Sequence, residues 1–128
     1  MLIKRRENNM KHFTKDEFKC GCGCNLNFDN MSYDLINKLV DAREMAGVPF
    51  RITSSIRCKK HNRTIGGSPT SSHLSGEAID ILCDSSITRF HILGGLIAAG
   101  FNRIGVGDFF IHADVDKEKY QEVIWLYN

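Results

Sequence analysis

Apolar and polar positions along the chain alternate between a helical and a two-residue period. From Ser32 to Ala46, Leu35, Ile36, Leu39 and Val40 recur at the spacing of one helix face, with Gly47 where a C-terminal cap belongs. A second helical stretch, capped by Ser86 and ending at Gly100, is expected to turn Ile87, Phe90, Leu93, Leu96 and Ile97 inward. Upstream, Thr14-Lys15-Asp16-Glu17 reads as a capping box flanked by a Phe13/Phe18 staple. That helix must be short, because a Gly/Cys run follows at once. Val48 to Ile56, entered through Pro49, and Glu77 to Leu82 alternate as strands do. Between them, Cys58 to Gly67 reads as a short helical turn and a loop. Phe101 to Val106 and Phe109 to Val115 form an expected hairpin around Gly107-Asp108, and Gln121 to Tyr127 is apolar enough to return to the sheet edge. Helices grouped between antiparallel strands predict a small α+β domain, an antiparallel sheet with flanking helices.

Composition narrows the function classes. The 128 residues are 42% hydrophobic and 25% charged, which suits one domain burying roughly two thirds of its unfolded surface. No apolar run approaches the ~18 residues of a membrane span, so no membrane insertion is expected. Residues 1–11 hold Lys4, Arg5, Arg6 and Lys11 against Glu7 and read as a flexible basic leader before a domain over 12–128. The leader has no apolar segment behind its charges, so it is not a signal peptide, and synthesis in the cytoplasm is expected. Of 17 basic and 15 acidic side chains, the leader takes four and one, leaving 13 against 14. A near-neutral domain has no broad basic face for nucleic acid.

Five cysteines, at 20, 22, 24, 58 and 83, are an odd number and argue against a full disulfide framework. The run Cys20-Gly-Cys22-Gly-Cys24 with Cys58 leaves three readings open: a structural zinc site of unusual spacing, one disulfide, or reduced thiols.

The chemistry concentrates in two segments. In Ser71-Ser72-His73-Leu74-Ser75-Gly76-Glu77-Ala78-Ile79-Asp80, a turn at Gly76 can fold His73 back over the strand that carries Asp80. An acid within an apolar strand is costly unless paired or bound to metal; an edge position for Asp80 and a loop position for His73 are the alternatives. In Phe109-Phe110-Ile111-His112-Ala113-Asp114-Val115, alternation places Phe110, His112 and Asp114 on one face. Two histidines and a carboxylate are the ligand set of a catalytic zinc, whose fourth position is left to water. Asp114 can orient an imidazole or handle the water's proton. Arg57, ending the strand before Cys58, can bind a carboxylate or stabilise an oxyanion, or be a surface arginine. His12, His61 and His91 are weak candidates, and Glu77 faces away from Asp80. There is no G-x-S-x-G elbow and no H-E-x-x-H.

Ser71-x-His73-x-x-Gly76-x-Ala78-x-Asp80, with Gly105-Val106-Gly107 and Phe110-Ile111-His112-Ala113-Asp114 downstream, resembles the zinc peptidases that cut D-amino-acid-containing peptides of peptidoglycan. These include D-Ala-D-Ala carboxypeptidases and phage or bacterial endopeptidases, and share their fold with the hedgehog signalling domain. The resemblance runs from Phe13 to Tyr127 and is strongest to the compact single-domain branch of phages and prophages. It implies His73, Asp80 and His112 as zinc ligands, Arg57 as the transition-state or substrate-carboxylate arginine, and Ser71 as a residue near the substrate. It further implies a monomer acting at the cell wall on peptidoglycan peptides. Two positions depart from the pattern. Ser54-Ser55-Ile56-Arg57 stands where the family has Ser-Gly-Tyr-Arg. Phe109 stands three residues before the last zinc histidine, where relatives place an acidic base. Asp114 is then the first candidate for that base and Asp108 the second. A zinc-bearing binding module of the same fold is the alternative to an enzyme.

Overall fold

The computed structural model describes residues 11–127. All of the expected leader except Lys11 lies outside the described residues. Lys11 and His12 both reach Glu44, at 3.1 and 3.0 Å.

Among the described residues the chain forms three α-helices and one five-stranded sheet. The helices are α1 (Tyr33–Ala46), α2 (Lys59–Thr64) and α3 (Ser86–Ala98). The strands are β1 (Ile52–Ser54), β2 (Ala78–Leu82), β3 (Arg103–Val106), β4 (Phe110–Asp114) and β5 (Val123–Leu126), in spatial order β1-β2-β4-β3-β5. The α+β class follows the sequence pattern, and the first four strands pair antiparallel with one another. The sheet is nonetheless mixed, because β5 pairs parallel with β3. The cause is chain length. β4 ends beside the start of β3, and residues 115–122 carry the chain only past that end, so β5 must set off in the direction of β3. None of these helices is long and apolar enough to cross a membrane.

One face of the sheet is the core. Ile79, Ile81, Ile104, Ile111 and Ala113 are buried there together with Leu35, Ile36, Leu39 and Val40 of α1 and Ile92 and Leu96 of α3. Phe13, Phe18 and Phe28 extend this core as a chain of rings 5.8 and 5.7 Å apart. The Thr14 box forms in part, Thr14 N–H donating to Glu17 Oε2 at 2.7 Å, and opens a 3-10 turn rather than an α-helix.

Helix α3 differs from the sequence reading. Its N-cap is Ser85, whose hydroxyl accepts from the Thr88 N–H, and Ile87, Phe90 and Ile97 face outward, Phe90 with 74% of its surface exposed. The helix is apolar nearly all round, so periodicity could not choose its inner face. Contact chose it: Gly95 sits so close to α1 that a Cβ there would come within 2.5 Å of the Ala42 carbonyl oxygen. That approach turns Ile92, Gly95 and Leu96 inward.

The expected strand over 48–56 also shrinks to β1. Its register with β2 shifts between Ile52 and Ser54, and the backbone beyond Ser54 leaves the ladder for the turn that carries His73.

Candidate metal centre

The registers place Ser54, Asp80, His112, Gly105 and Trp125 side by side, one residue from each strand, in a single row across the sheet. Period-two alternation puts this row on the face opposite the isoleucine core. Asp80 and His112 are direct cross-strand neighbours.

His73 arrives from outside the sheet, on a 3-10 turn (Ser72–Ser75) just before β2. Ser71 is its N-cap, its Oγ accepting from the His73 N–H at 3.2 Å. Gly76 closes the turn with φ +73°, and a side chain there would collide with the Asn30 carbonyl. The backbone after β1 latches the turn in place: Arg57 N–H donates to the His73 carbonyl at 3.0 Å, and His73 Nδ1–H donates to the Ser55 carbonyl at 2.7 Å.

Both imidazole tautomers follow from these partners. A carbonyl can only accept, so His73 carries its proton on Nδ1 and turns Nε2 toward Asp80 Oδ1, 3.2 Å away. His112 Nε2 lies 2.7 Å from Asp114 Oδ2, and Asp114 is ionised against Arg103 Nε at 2.6 Å. His112 therefore donates from Nε2 and turns Nδ1 toward the same Asp80 oxygen, 3.0 Å away. With both rings neutral, three lone pairs converge on one point. A cation between the three groups relieves that arrangement.

Electrostatics fit a cation site. Burial opposes the Asp80 charge, but His112 and His73 outweigh it and hold the carboxyl well below its usual range. Burial likewise opposes the His112 charge, while Asp114 and Asp80 hold its pKa above the ordinary imidazole value. Nitrogen and carboxylate donors in this number suit zinc with a position left open. His73, Asp80 and His112 are one of two groups among the described residues whose donor atoms gather within 4.8 Å. The other is Cys20, Cys22, Cys24 and Cys58.

Arg57 stands at the rim. Its Nη2 is 3.5 Å from Asp80 Oδ2, its Nε donates to Ser54 Oγ and its Nη1 to Asn62 Oδ1, both at 3.1 Å. Asn62 is buried and donates to the Ser68 carbonyl at 2.8 Å, so the guanidinium is held on a fixed partner. Burial lowers the Arg57 pKa, and Asp80 partly restores it.

The remaining candidates separate clearly. Asp114 is 1% exposed, and both of its oxygens are engaged: Oδ1 by Arg103 Nε and by the Asp116 N–H at 3.1 Å, Oδ2 by His112. Asp108 is exposed in the hairpin turn beside an exposed Phe109. Ser71 lines a surface hollow of about 560 Å³ with Thr70, Leu74, Glu77 and Lys119. Glu77 accepts from Ser75 Oγ at 2.6 Å, and His91 is exposed on α3.

Sequence reasoning missed Arg103, Trp125 and Tyr127. The Trp125 ring lies 5.5 Å from that of His112, and Arg103 Cζ lies 4.9 Å from the Trp125 ring. Tyr127 packs against Phe110 at 4.9 Å and against Trp125 at 6.2 Å. Gly105 makes room for both rings; a Cβ there would come within 2.6 Å of Tyr127 and 2.7 Å of Trp125. The available signal was alternation: Arg103 and Gly105 share a strand face.

A comparison with curated proteins gives no match. The model of the family described as Peptidase M15 matches residues 11–116, which include Arg57, His73, Asp80, His112 and Asp114. The chain belongs to the peptidase M15 family, whose members are in general zinc-dependent.

Proposed function

We propose that this peptidase hydrolyses peptide bonds in peptidoglycan stem peptides, as a D-Ala-D-Ala carboxypeptidase or as an endopeptidase, with a zinc ion held by His73 Nε2, Asp80 Oδ1 and His112 Nδ1. The observation that carries the reading is the convergence of three lone pairs whose tautomers are fixed from behind, by the Ser55 carbonyl and by Asp114. When bound, zinc supplies a Lewis acid that polarises a scissile carbonyl and makes water acidic enough to attack at neutral pH.

The chain's own residues supply the rest. Arg57 points a guanidinium, fixed by Ser54 and Asn62, at the edge of the site, suited to a substrate carboxylate or a developing oxyanion. Asp114 holds His112 in the donating tautomer and raises the basicity of its Nδ1, a ligand-orienting role rather than that of a base. Ser71 fixes the turn bearing His73 and lies beside the hollow in which a peptide strand can rest. Trp125 and Tyr127, beyond the residues matched by the family, wall the β5 side. Action at the cell wall, as a monomer and without nucleic-acid partners, belongs to the same proposal, as does descent from the phage branch.

The test is a digest of purified peptidoglycan by the zinc-loaded protein, its products identified by mass spectrometry beside a His112→Ala control. Released D-Ala marks a carboxypeptidase; new amino termini within the stem peptide mark an endopeptidase. A protein that holds zinc at this site and yields neither product is a binding module instead.

A further inference from the structure

The second donor group, Cys20, Cys22, Cys24 and Cys58, takes no part in the site above, and its geometry can be read independently. All four sulfurs lie within 4.8 Å of one another. Two of the contacts, Cys20 to Cys22 and Cys22 to Cys58, are 3.6 Å. A sulfur–sulfur bond is about 2.05 Å, so neither pair is a disulfide, and one disulfide would leave two thiols stranded in the same cluster. A tetrahedron of four thiolates around zinc, with bonds of about 2.3 Å, has edges of about 3.8 Å. The two 3.6 Å contacts are close to such an edge, and every other pair lies within 4.8 Å.

The local backbone is shaped around that point. Cysteines at every second residue of a strand share one face but stand about 6.7 Å apart along it, whereas here Cys20, Cys22 and Cys24 bring their sulfurs within 4.8 Å of one another. A turn from Cys20 to Gly23, closed by the Gly23 N–H on the Cys20 carbonyl at 3.1 Å, makes this possible, with Gly23 at φ +80°. Gly21 lies against the His61 ring, where a Cβ would come within 2.9 Å of Nε2. Backbone N–H groups also aim at sulfur: Cys58 N–H donates to Cys20 Sγ at 3.4 Å and His61 N–H to Cys58 Sγ at 3.3 Å. Sulfur is a weak acceptor as a thiol and a much better one as a thiolate. These bonds therefore support negative charge on the cluster. Cys83 is buried elsewhere and contacts the Ser85 carbonyl, which accounts for the fifth cysteine.

We propose that Cys20, Cys22, Cys24 and Cys58 bind a structural zinc ion, distinct from the one at His73, Asp80 and His112. Each sulfur gives up its proton to solvent on binding, and four soft donors leave no open position, so this ion holds structure and does not catalyse. It would tie the 20–24 loop to the N-terminus of α2, where Cys58 is the N-cap, one residue after Arg57.

The test counts metal and reads its ligands. Full-length protein purified without chelator should carry two zinc ions per chain by elemental analysis. Cys22→Ser/Cys24→Ser should carry one, and His112→Ala should carry one, so loss of either site is seen separately. So that the result does not depend on the folding of the double serine variant, the unmodified protein is also reconstituted with cobalt(II). Sulfur-to-cobalt charge-transfer absorption should appear in the near ultraviolet, which the His–Asp–His site has no sulfur to produce. Absence of that band overturns the proposal. So does a native mass two below that of the reduced chain, iron in place of zinc, or four thiols alkylated as fast as in unfolded protein.

Discussion

Asp114 and Arg57 are the residues whose roles the geometry separates most sharply, and each yields a distinct signature when changed. With one oxygen on His112 Nε2 and the other on Arg103, Asp114 has no lone pair aimed at a substrate. Asp114→Asn should therefore weaken zinc binding about 10–100-fold, the usual cost of losing a partner behind a metal histidine. Competition with a chelator of known affinity measures it. Unchanged affinity with lost turnover would return Asp114 to the role of base. Arg57→Lys should keep the metal, because no ligand is altered, yet lose the three-way grip on Ser54, Asn62 and Asp80. Its kcat/KM should fall on the order of 10²–10³-fold, the scale of one lost electrostatic donor. At this scale much was legible. His73, Asp80 and His112 are brought together as their spacing around a turn and a strand suggested. What the spacing could not show was the support behind them, since the Ser55 carbonyl is a backbone group and Arg103 reaches Asp114 across a strand pair.

Elements were legible where one face was apolar and illegible where every face was. Helix α1 buries the stripe its periodicity marked, whereas α3 is set by the close passage of Gly95 over Ala42 and Ala46. The boundary of α3 can be tested directly. Ser85→Ala removes the hydroxyl that accepts from Thr88 and should cost about 1 kcal/mol of stability in urea unfolding, while Ser86→Ala should cost a few tenths at most. A larger loss for Ser86→Ala than for Ser85→Ala would move the cap to Ser86. At the other edge, β5 is fitted to the site by Gly105. Gly105→Ala inserts a methyl group between Trp125 and Tyr127, displacing rings that pack on His112 and Phe110. Overpacking of this kind costs about 1–3 kcal/mol. The same variant should raise KM more than it lowers kcat, because it moves the wall and not the ligands. The parallel pairing of β5 had no sequence signal, since it follows from where residues 115–122 deliver the chain.

For the whole molecule, the site is an electrostatic debt of folding that a metal cancels. The sheet brings two neutral imidazoles and a carboxylate together lone pair to lone pair, so the metal-free protein must either take up a proton there or hold an unfavourable contact. His112 shows which: Asp114 and Asp80 raise its pKa above the unfolded value of 6.5. A raised histidine contributes stability that is fully present below about pH 6.5 and is lost as pH rises through the folded pKa. Asp80 and Asp114 are depressed, so their contribution is present above about pH 4 and is lost only on further acidification. Between pH 5 and 7 the carboxylate contributions are therefore constant, and that of His112 changes only above about pH 6.5. Zinc needs the Nδ1 lone pair, so protons compete with it there and metal uptake releases them. From pH 7 to 5, acidification thus stabilises the metal-free protein through His112 down to about pH 6.5, and below that it weakens the zinc-bound one, whose His112 must stay neutral while the unfolded chain takes up the proton. The difference in Tm between zinc-loaded and chelated protein should narrow from both sides over that interval. In His112→Ala the part of the difference due to this site should vanish, leaving whatever the cysteine cluster adds. Scanning calorimetry at several pH values measures both. A difference that widens on acidification would mean that the three groups do not bind the metal through the lone pairs assigned to them.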